Sequence, residues 1–279
     1  MRQRIRLRIE VPRLRGTMAD LVRAHLLFDA PVSGLALSAA YAGFEWVLPA
    51  AGVFATAVHT WGVMNPRSSF YLPVTWRLPA GDAGIALTFD DGPHPEITPQ
   101  VLDLLAAAGQ RATFFCIGEH VARHPHLVRR MVSEGHALGL HSHTHSRWFN
   151  TWMPARVRSD LICAQEVMAE ATGAPAPRLF RPPVGLKNPM VAIAVADLGL
   201  RTVTWSCRGL DTTLPEPEVL RRRLIAGLHP RAIMLLHDGH EPQRPADRTR
   251  CVQALAELLP EMATRGLVSR ALRGDRDGC

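Results

Sequence analysis

Short apolar runs alternate with longer helical patterns along most of the chain, from residue 84 to residue 272. The short runs predict β-strands at residues 85–89, 112–117, 137–140, 179–181, 202–205, 233–236 and 267–269. The longer stretches predict helices at residues 99–108, 127–134, 155–171, 190–198, 219–226 and 249–264. Strands that alternate with helices form parallel βα units, so the pattern predicts an α/β fold with a parallel sheet or barrel. Six or seven units in about 190 residues favour a small or incompletely closed barrel.

The chain before residue 84 has a different pattern. Residues 30–64 form an apolar tract whose only full charge is Glu45. A bilayer core takes about 20 apolar residues per helix, so this tract predicts a transmembrane or membrane-associated helical segment. One tilted span, two short helices bent at residues 45–49, and helices packed on the soluble domain are the three alternatives.

The distribution of charge near the start of the chain favours a membrane location. The first 25 residues carry seven arginines against one aspartate and one glutamate, which is most of the formal net charge of +7. A basic arm beside an apolar segment is typical of a membrane-surface anchor, and basic flanks stay cytoplasmic. We therefore expect the chain to associate with a bacterial inner membrane through residues 30–64. One span would place the rest of the chain outside the cytoplasm, and a hairpin would leave it inside.

The chain thus divides into five parts. These are a basic arm (1–29), the apolar segment (30–64), a linker rich in Pro, Ser and Gly (65–83), one α/β domain (84–272) and a polar tail (273–279). With two tyrosines and no interleaving of basic and aromatic residues, no nucleic-acid partner is expected, and no obligate protein partner is evident. The five cysteines are widely spaced without a CxxC pair, which indicates buried thiols.

Polar clusters follow the predicted strands at five points, namely residues 88–93, 141–145, 180–185, 205–211 and 235–239. Sites in parallel sheets and barrels are built at the carboxyl ends of strands. The adjacent carboxylates of Asp90 and Asp91 would repel each other unless a cation or an arginine lies close by. Taken alone, the Gly-Pro turn after Asp91 could be ordinary turn chemistry, and an isolated histidine could belong to the core. The inference of a functional site therefore depends on the five clusters together.

His141 and His145 are four residues apart, a spacing that lets two imidazoles on one helical turn bind one metal ion. On such a turn His143 points the other way, so it is left out of the ligand set. One carboxylate with two histidines is a common catalytic metal set that leaves positions open for water.

Taken together, the motifs resemble those of the NodB-like polysaccharide deacetylases, carbohydrate esterase family 4. The segments TFDDGPHPEITPQVLDLL, ATFFCIG, GHALGLHSHTH, FRPP and LLHD occur in that family's order, over roughly residues 82–270. The resemblance implies a distorted (β/α)7–8 barrel as the catalytic domain. It also implies one divalent metal ion, most often Zn²⁺ with Co²⁺, Ni²⁺ or Mn²⁺ as alternatives, and hydrolysis of N-acetyl groups on amino sugars.

The resemblance also implies roles for individual residues. Asp91, His141 and His145 would hold the metal ion. Asp90 would be the general base for a metal-bound water, and His237 would protonate the departing amine.

Four further residues have supporting roles by the same resemblance. Arg181 would pair with Asp90, and Asp211 would hydrogen-bond His237 and raise its pKa. A backbone N–H in the turn of Pro183 and Val184 would stabilise the oxyanion.

Three positions depart from the family pattern and affect the expected substrate groove. Val184 stands where an aromatic residue is usual, Arg208 where an acidic one is, and Thr212 where tryptophan is common. The expected substrate is therefore an N-acylated amino-sugar glycan or glycolipid of the cell envelope, without a narrower assignment. The alternatives are a deformylase of a lipid-linked amino sugar and an inactive, membrane-tethered glycan-binding module.

Overall fold

The computed structural model describes residues 29–38, 41, 43, 46–213, 216–243 and 246–274. The expected arm is therefore outside the described residues except for Asp29, and so is the tail beyond residue 274. The strands are β1 (Val74–Thr75), β2 (Ala86–Asp90), β3 (Ala112–Cys116), β4 (Ala137–Leu140), β5 (Leu179–Phe180), β6 (Arg201–Val203), β7 (Cys207–Arg208) and β8 (Ile233–His237). The helices are α1 (Val47–Met64), α2 (Ile97–Ala107), α3 (Gly118–Arg123), α4 (Pro125–Ser133), α5 (Pro154–Thr172), α6 (Pro189–Asp197), α7 (Pro217–Gly227) and α8 (Thr249–Thr264).

All eight strands lie in one sheet and every neighbouring pair is parallel, in the order β1-β6-β5-β4-β3-β2-β8-β7. The predicted α/β architecture with a parallel sheet is confirmed. The sheet is a curled half-barrel, because β1 and β7 are its two ends and do not pair with each other among the described residues.

The central strands β2, β3 and β8 are buried along their whole length, which explains why their sequences are continuous apolar runs. The register in which these three strands pair determines which polar side chains become neighbours. Asp90, the last residue of β2, pairs with Phe115 on one side and with His237 on the other. The pairing thus brings an acidic side chain and an imidazole from positions far apart in the chain onto neighbouring strands.

The segment 65–83, expected to be a linker, contributes to the folded domain. It contains β1, which pairs with β6 at the edge of the sheet. Tyr71, Leu72 and Leu78 are buried in the apolar core. The expected last strand at residues 267–269 forms only an isolated bridge between Ile85 and Ser269.

Helix α1 lies within the apolar tract. It is the one helix among the described residues that is long and apolar enough to cross a membrane, and few of its side chains are buried. Its carboxyl end is attached to the sheet domain: Gly62 lies against the ring of Phe70, and the ammonium of Lys187 donates to the carbonyl of Asn65 at 2.7 Å. The bend expected at residues 45–49 falls partly outside the described residues.

Candidate active site

Three side chains able to bind a metal ion meet at the carboxyl ends of β2 and β4. The Oδ1 atom of Asp91 lies 3.4 Å from Nε2 of His141 and 3.5 Å from Nε2 of His145. All three side chains are buried, and one potential ligand atom from each lies within 4.8 Å of the others. The structure therefore brings together the three residues that the sequence singled out for this purpose.

The loop that carries the histidines is not the helical turn expected from their spacing. Residues 141–146 contain no helix, and Ser142 and His145 have positive φ angles of 65° and 46°. The Ser142 hydroxyl accepts a hydrogen bond from the backbone N–H of His145 at 2.9 Å. The expectation of a helical turn is wrong because two residues in the left-handed region fold the loop back on itself, and this fold brings the imidazoles together.

Asp160 of α5 fixes the same loop and had no signal in the sequence. Its buried carboxylate accepts hydrogen bonds from the backbone N–H of His143 at 2.7 Å and of Thr144 at 3.3 Å. Asp160 also accepts from the Thr144 hydroxyl at 2.9 Å. A long helix thus holds the loop through one carboxylate.

The chemistry of the donor set fits a divalent cation. Oδ1 of Asp91 is buried and has no hydrogen-bond partner within the described part of the chain. Nδ1 of His141 lies 2.8 Å from the carbonyl oxygen of Arg181, so the ring N–H donates there and Nε2 remains available as a ligand. An oxygen and two imidazole nitrogens are ligands that zinc and similar ions accept.

The charges in the cluster compensate one another. Burial disfavours the charge on Asp91, but the neighbouring imidazoles of His141, His145 and His237 outweigh burial and lower the pKa of Asp91. Burial also disfavours charged His141, but the carboxylates of Asp90 and Asp91 outweigh it and raise the pKa of that imidazole. The site therefore favours an ionised Asp91.

Asp90 is held by a buried arginine. Nη1 of Arg181 lies 2.6 Å from Oδ1 of Asp90 and donates to the hydroxyl of Thr88 at 2.9 Å. The rest of the guanidinium donates to the carbonyls of Val203 at 3.3 Å and Thr204 at 3.0 Å. Arg181 is fully buried, and burial lowers its pKa. These four contacts hold the guanidinium in place, and the one with Asp90 fixes the orientation of that carboxylate.

His237 forms a second polar pair. Its Nδ1 lies 2.9 Å from one carboxylate oxygen of Asp211, and the other oxygen accepts from the His237 backbone N–H at 2.8 Å. Burial lowers the pKa of His237, but the charge of Asp211 and the hydrogen bond to it outweigh burial, so the pKa of His237 is raised. The imidazole is thus kept protonated to higher pH than a free histidine.

The turn after Arg181 has an unusual backbone. Val184 lies in the left-handed region, at φ 60° and ψ 0°, in a short 3-10 turn that spans Pro183–Gly185. Gly185 also has a positive φ of 76°, and a Cβ there would meet the ring of Trp205. The close approach of Trp205 therefore requires glycine at this position.

One pocket joins these groups. Its lining includes Asp90, Asp91, His141, His145, His237 and Val184. Arg181, Asp211 and Pro183 do not line it; the first two hold pocket residues from behind. Arg248 also lines it, a residue that the sequence analysis did not single out.

Asp238, which directly follows His237, is a buried carboxyl to which the sequence analysis gave no role. Asp238 accepts a hydrogen bond from the Thr98 hydroxyl at 2.5 Å, and burial raises its pKa to about 7. A Cβ on Gly92 would overlap Asp238, so the turn after Asp91 fits only with glycine. The sequence motif Asp-Gly-Pro contained that glycine but gave no sign of what it packs against.

Comparisons with known proteins agree with the geometry. The family profile described as polysaccharide deacetylase matches residues 77–203. A chitooligosaccharide deacetylase of Bradyrhizobium sp. (strain ANU 289) is 37% identical over 193 residues, which are 67% of this chain and 88% of the relative. A peptidoglycan-N-acetylglucosamine deacetylase of Bacillus cereus (strain ATCC 14579) is 37% identical over 195 residues, which are 69% of this chain and 88% of the relative.

A solved structure shows the same family relationship. A peptidoglycan N-acetylglucosamine deacetylase in complex with 4-naphthalen-1-yl-N-oxidanyl-benzamide superposes with a TM-score of 0.65 and 28% sequence identity. The match covers 71% of this chain and 90% of that structure. The chain belongs to the polysaccharide deacetylase family, carbohydrate esterase family 4.

Proposed function

We propose that this protein removes the N-acetyl group from an amino sugar of a cell-envelope glycan or glycolipid. It is a hydrolase of the polysaccharide deacetylase family, and its relatives act on chitooligosaccharide and on peptidoglycan N-acetylglucosamine. The observation that carries the proposal is one pocket lined by an Asp–His–His cluster, a second carboxylate and a further histidine.

Asp91, His141 and His145 would hold the divalent ion, with Zn²⁺ as the expected one. Bound there, such an ion supplies Lewis-acid chemistry: it polarises the amide carbonyl and makes a water molecule more acidic. The ionised state of Asp91 and the hydrogen bond from His141 to the Arg181 carbonyl prepare the two kinds of ligand for that task.

Asp90 acts as the general base that takes a proton from the attacking water. It suits this role because the ion pair with Arg181 holds one carboxylate oxygen, while the second oxygen, Oδ2, lies 3.7 Å from Nε2 of His141, close to the cluster. Arg181 positions Asp90 and does not touch the substrate. A well-placed general base contributes about 10²- to 10⁴-fold to the rate.

His237 acts as the general acid that donates a proton to the departing amine nitrogen. Its raised pKa supports this role, because the imidazole must be protonated when the C–N bond breaks. Asp211 holds Nδ1, so the other ring nitrogen is the one directed to the substrate. The strand register places His237 directly beside Asp90.

The backbone N–H of Val184 stabilises the negative oxygen that develops on the acyl carbon. The support for this role is that Val184 lines the pocket in a left-handed conformation, which interrupts the extended backbone that ends at Pro182. One oxyanion donor is typically worth about 3 kcal/mol of barrier. Because the donor is backbone, the valine side chain does not interfere with it.

The membrane is the proposed place of action. Helix α1 is apolar and its large side chains are exposed, and its carboxyl end is joined to the catalytic domain through Lys187 and Phe70. An enzyme held in this way acts on substrates at the surface of the membrane. The bacterial inner membrane is the proposed location.

The test is acetate release from N-acetylglucosamine oligomers by the full-length chain in detergent. Treatment with a chelator should abolish release, and Zn²⁺ should restore it. The same oligomer with N-formyl in place of N-acetyl groups serves as the comparison substrate. Preferential release of formate would replace the proposed activity with deformylation, and no release of either acid from any amino sugar would overturn the proposal.

A further inference from the structure

A second cavity, of about 820 Å³, opens beside the catalytic pocket. Its charged lining consists of arginines: Arg67, Arg208, Arg222 and Arg223. We refer to it as the arginine cavity. Within the described part of the chain no carboxylate lines it, although Glu218 lies close enough to pair with Arg222. A concave surface lined by one sign of charge attracts anionic ligands.

Two of these arginines are anchored in a way that leaves donors free for a ligand. Arg67 uses Nη2 to donate to the Ser206 carbonyl at 3.1 Å, and Arg223 uses Nε to donate to the Arg208 carbonyl at 2.7 Å. Each guanidinium has five N–H donors, so most remain. Both contacts fix the arginines to the chain around β7. Two of the four arginines are therefore held in place before any ligand arrives.

The side chain of Arg208 has a buried donor that is available to a ligand. Its Nε is buried, yet it has no hydrogen-bond partner among the described residues. A buried donor without a partner is unfavourable, and a bound acceptor would remove that cost. The guanidinium carbon of Arg208 lies 5.8 Å from the ring centroid of Trp205. The aromatic ring thus holds the arginine in place without using its N–H groups.

The location links the arginine cavity to both the catalytic pocket and helix α1. Trp205 and Arg208 line the cavity and the catalytic pocket, so the two are contiguous. Asn65, Pro66 and Arg67, the residues that directly follow α1, line the cavity on another side. A group bound there lies between the reacting sugar and the carboxyl end of the apolar helix.

We propose that the arginine cavity binds a phosphate group carried by the amino-sugar substrate. The inference rests on the proposed deacetylase function and deepens it by naming the substrate class, a phosphorylated N-acetylated amino sugar. Phosphate carries close to two negative charges at neutral pH and accepts paired hydrogen bonds from guanidinium groups, which suits several converging arginines. The phosphate belongs either to a lipid-linked sugar or to a soluble sugar phosphate.

The test compares N-acetylglucosamine 1-phosphate with N-acetylglucosamine as substrates of the full-length chain in detergent. The wild-type chain should prefer the phosphorylated sugar by at least tenfold in kcat/KM. The double variant R208Q/R223Q should lose this preference. The control is Arg221→Gln, which removes one positive charge from the helix that carries Arg223 but not from the cavity lining, and it should keep the preference within twofold.

Calorimetric titration with inorganic phosphate tests the cavity without turnover. R208Q/R223Q should bind phosphate at least tenfold more weakly than the wild type, and Arg221→Gln should bind it equally well. Phosphate binding that is equal in all three proteins, or no preference for the phosphorylated sugar, would overturn the inference. If neutral oligomers release acetate while the arginine variants change nothing, only this inference fails; if no amino sugar releases acetate, the proposed function fails.

A third substrate identifies the source of the phosphate. N-acetylglucosamine linked to a polyprenyl diphosphate in mixed micelles is compared with the soluble sugar phosphate. A higher kcat/KM for the lipid-linked sugar assigns the phosphate to a lipid carrier, in agreement with the position of α1. Equal values assign it to a soluble sugar phosphate.

Discussion

Asp90, the proposed catalytic base, is paired with a buried arginine. Arg181 has no exposed surface and its guanidinium contacts Asp90, Thr88 and two backbone carbonyls. Such a group is costly to bury, and it remains charged because its partners surround it. The ion pair therefore serves the orientation of Asp90 as much as the stability of the fold.

Replacement of Arg181 by Met should be strongly destabilising, because it leaves the Asp90 carboxylate buried without its ion-pair partner. The expected loss is about 3–5 kcal/mol in the free energy of unfolding. Urea unfolding measures it. The control is Arg158→Met, which breaks the exposed pair of Arg158 with Asp197 and should cost at most about 1 kcal/mol. Equal losses in the two variants would contradict the role given to Arg181.

Asp211 controls the protonation of His237, and this gives a prediction for pH dependence. A general acid works only while protonated, so activity falls as the pH rises through its pKa. Asp211 raises the pKa of His237, so with His237 as the proposed general acid it would extend activity toward alkaline pH. Asp211→Asn should therefore shift the alkaline limb of the profile of kcat/KM against pH to lower pH.

The control for that profile is Asp247→Asn, which removes an exposed carboxylate that hydrogen-bonds Thr249 at the start of α8. Its alkaline limb should coincide with that of the wild type. An unmoved limb in Asp211→Asn would show that another group supplies the proton.

At the scale of elements, apolar runs predicted the long strands and helices well. The predicted helix 249–264 and strand 137–140 coincide with α8 and β4, because both are bounded by clear sequence signals. The short elements β1, β7 and α3 were missed, whereas β5, which also has two residues, was predicted at residues 179–181. β1 and β7 have two residues each, and α3 has six, so none is long enough to show a period.

The candidate site was predictable in its members but not in its geometry. Adjacent aspartates and paired histidines after strands indicated a metal cluster, and the strand order explains why they meet. The loop conformation of His145 could not be predicted, because it depends on the Asp160 carboxylate from a distant helix. The same holds for Asp238, which lies against Gly92 and Thr98, residues far earlier in the chain.

At the scale of the whole molecule, α1 is the segment proposed to attach the catalytic domain to a membrane. Val53 and Phe54 lie near the middle of the helix and are 71% and 55% exposed. If α1 enters a bilayer, charged residues there would cost about 2.5–3.5 kcal/mol each. We expect the wild-type chain to float with phosphatidylcholine vesicles in a density gradient and to resist carbonate extraction.

The double variant V53R/F54R should lose that flotation. The control is Val268→Arg, which introduces a charge at a half-exposed position in the catalytic domain and should still float. Flotation that is equal in all three proteins would remove α1 as the membrane segment, and acetate release in solution would not be affected by that result.

The central claim is that one pocket contains a metal cluster and a separate base. Its most direct test is to measure bound zinc and acetate release in Asp90→Asn and His141→Ala. Asp90→Asn should retain the metal content of the wild type while kcat falls by about 10²- to 10⁴-fold, whereas His141→Ala should lose both metal and turnover. Wild-type kcat in Asp90→Asn, or full metal content in His141→Ala, would contradict the account.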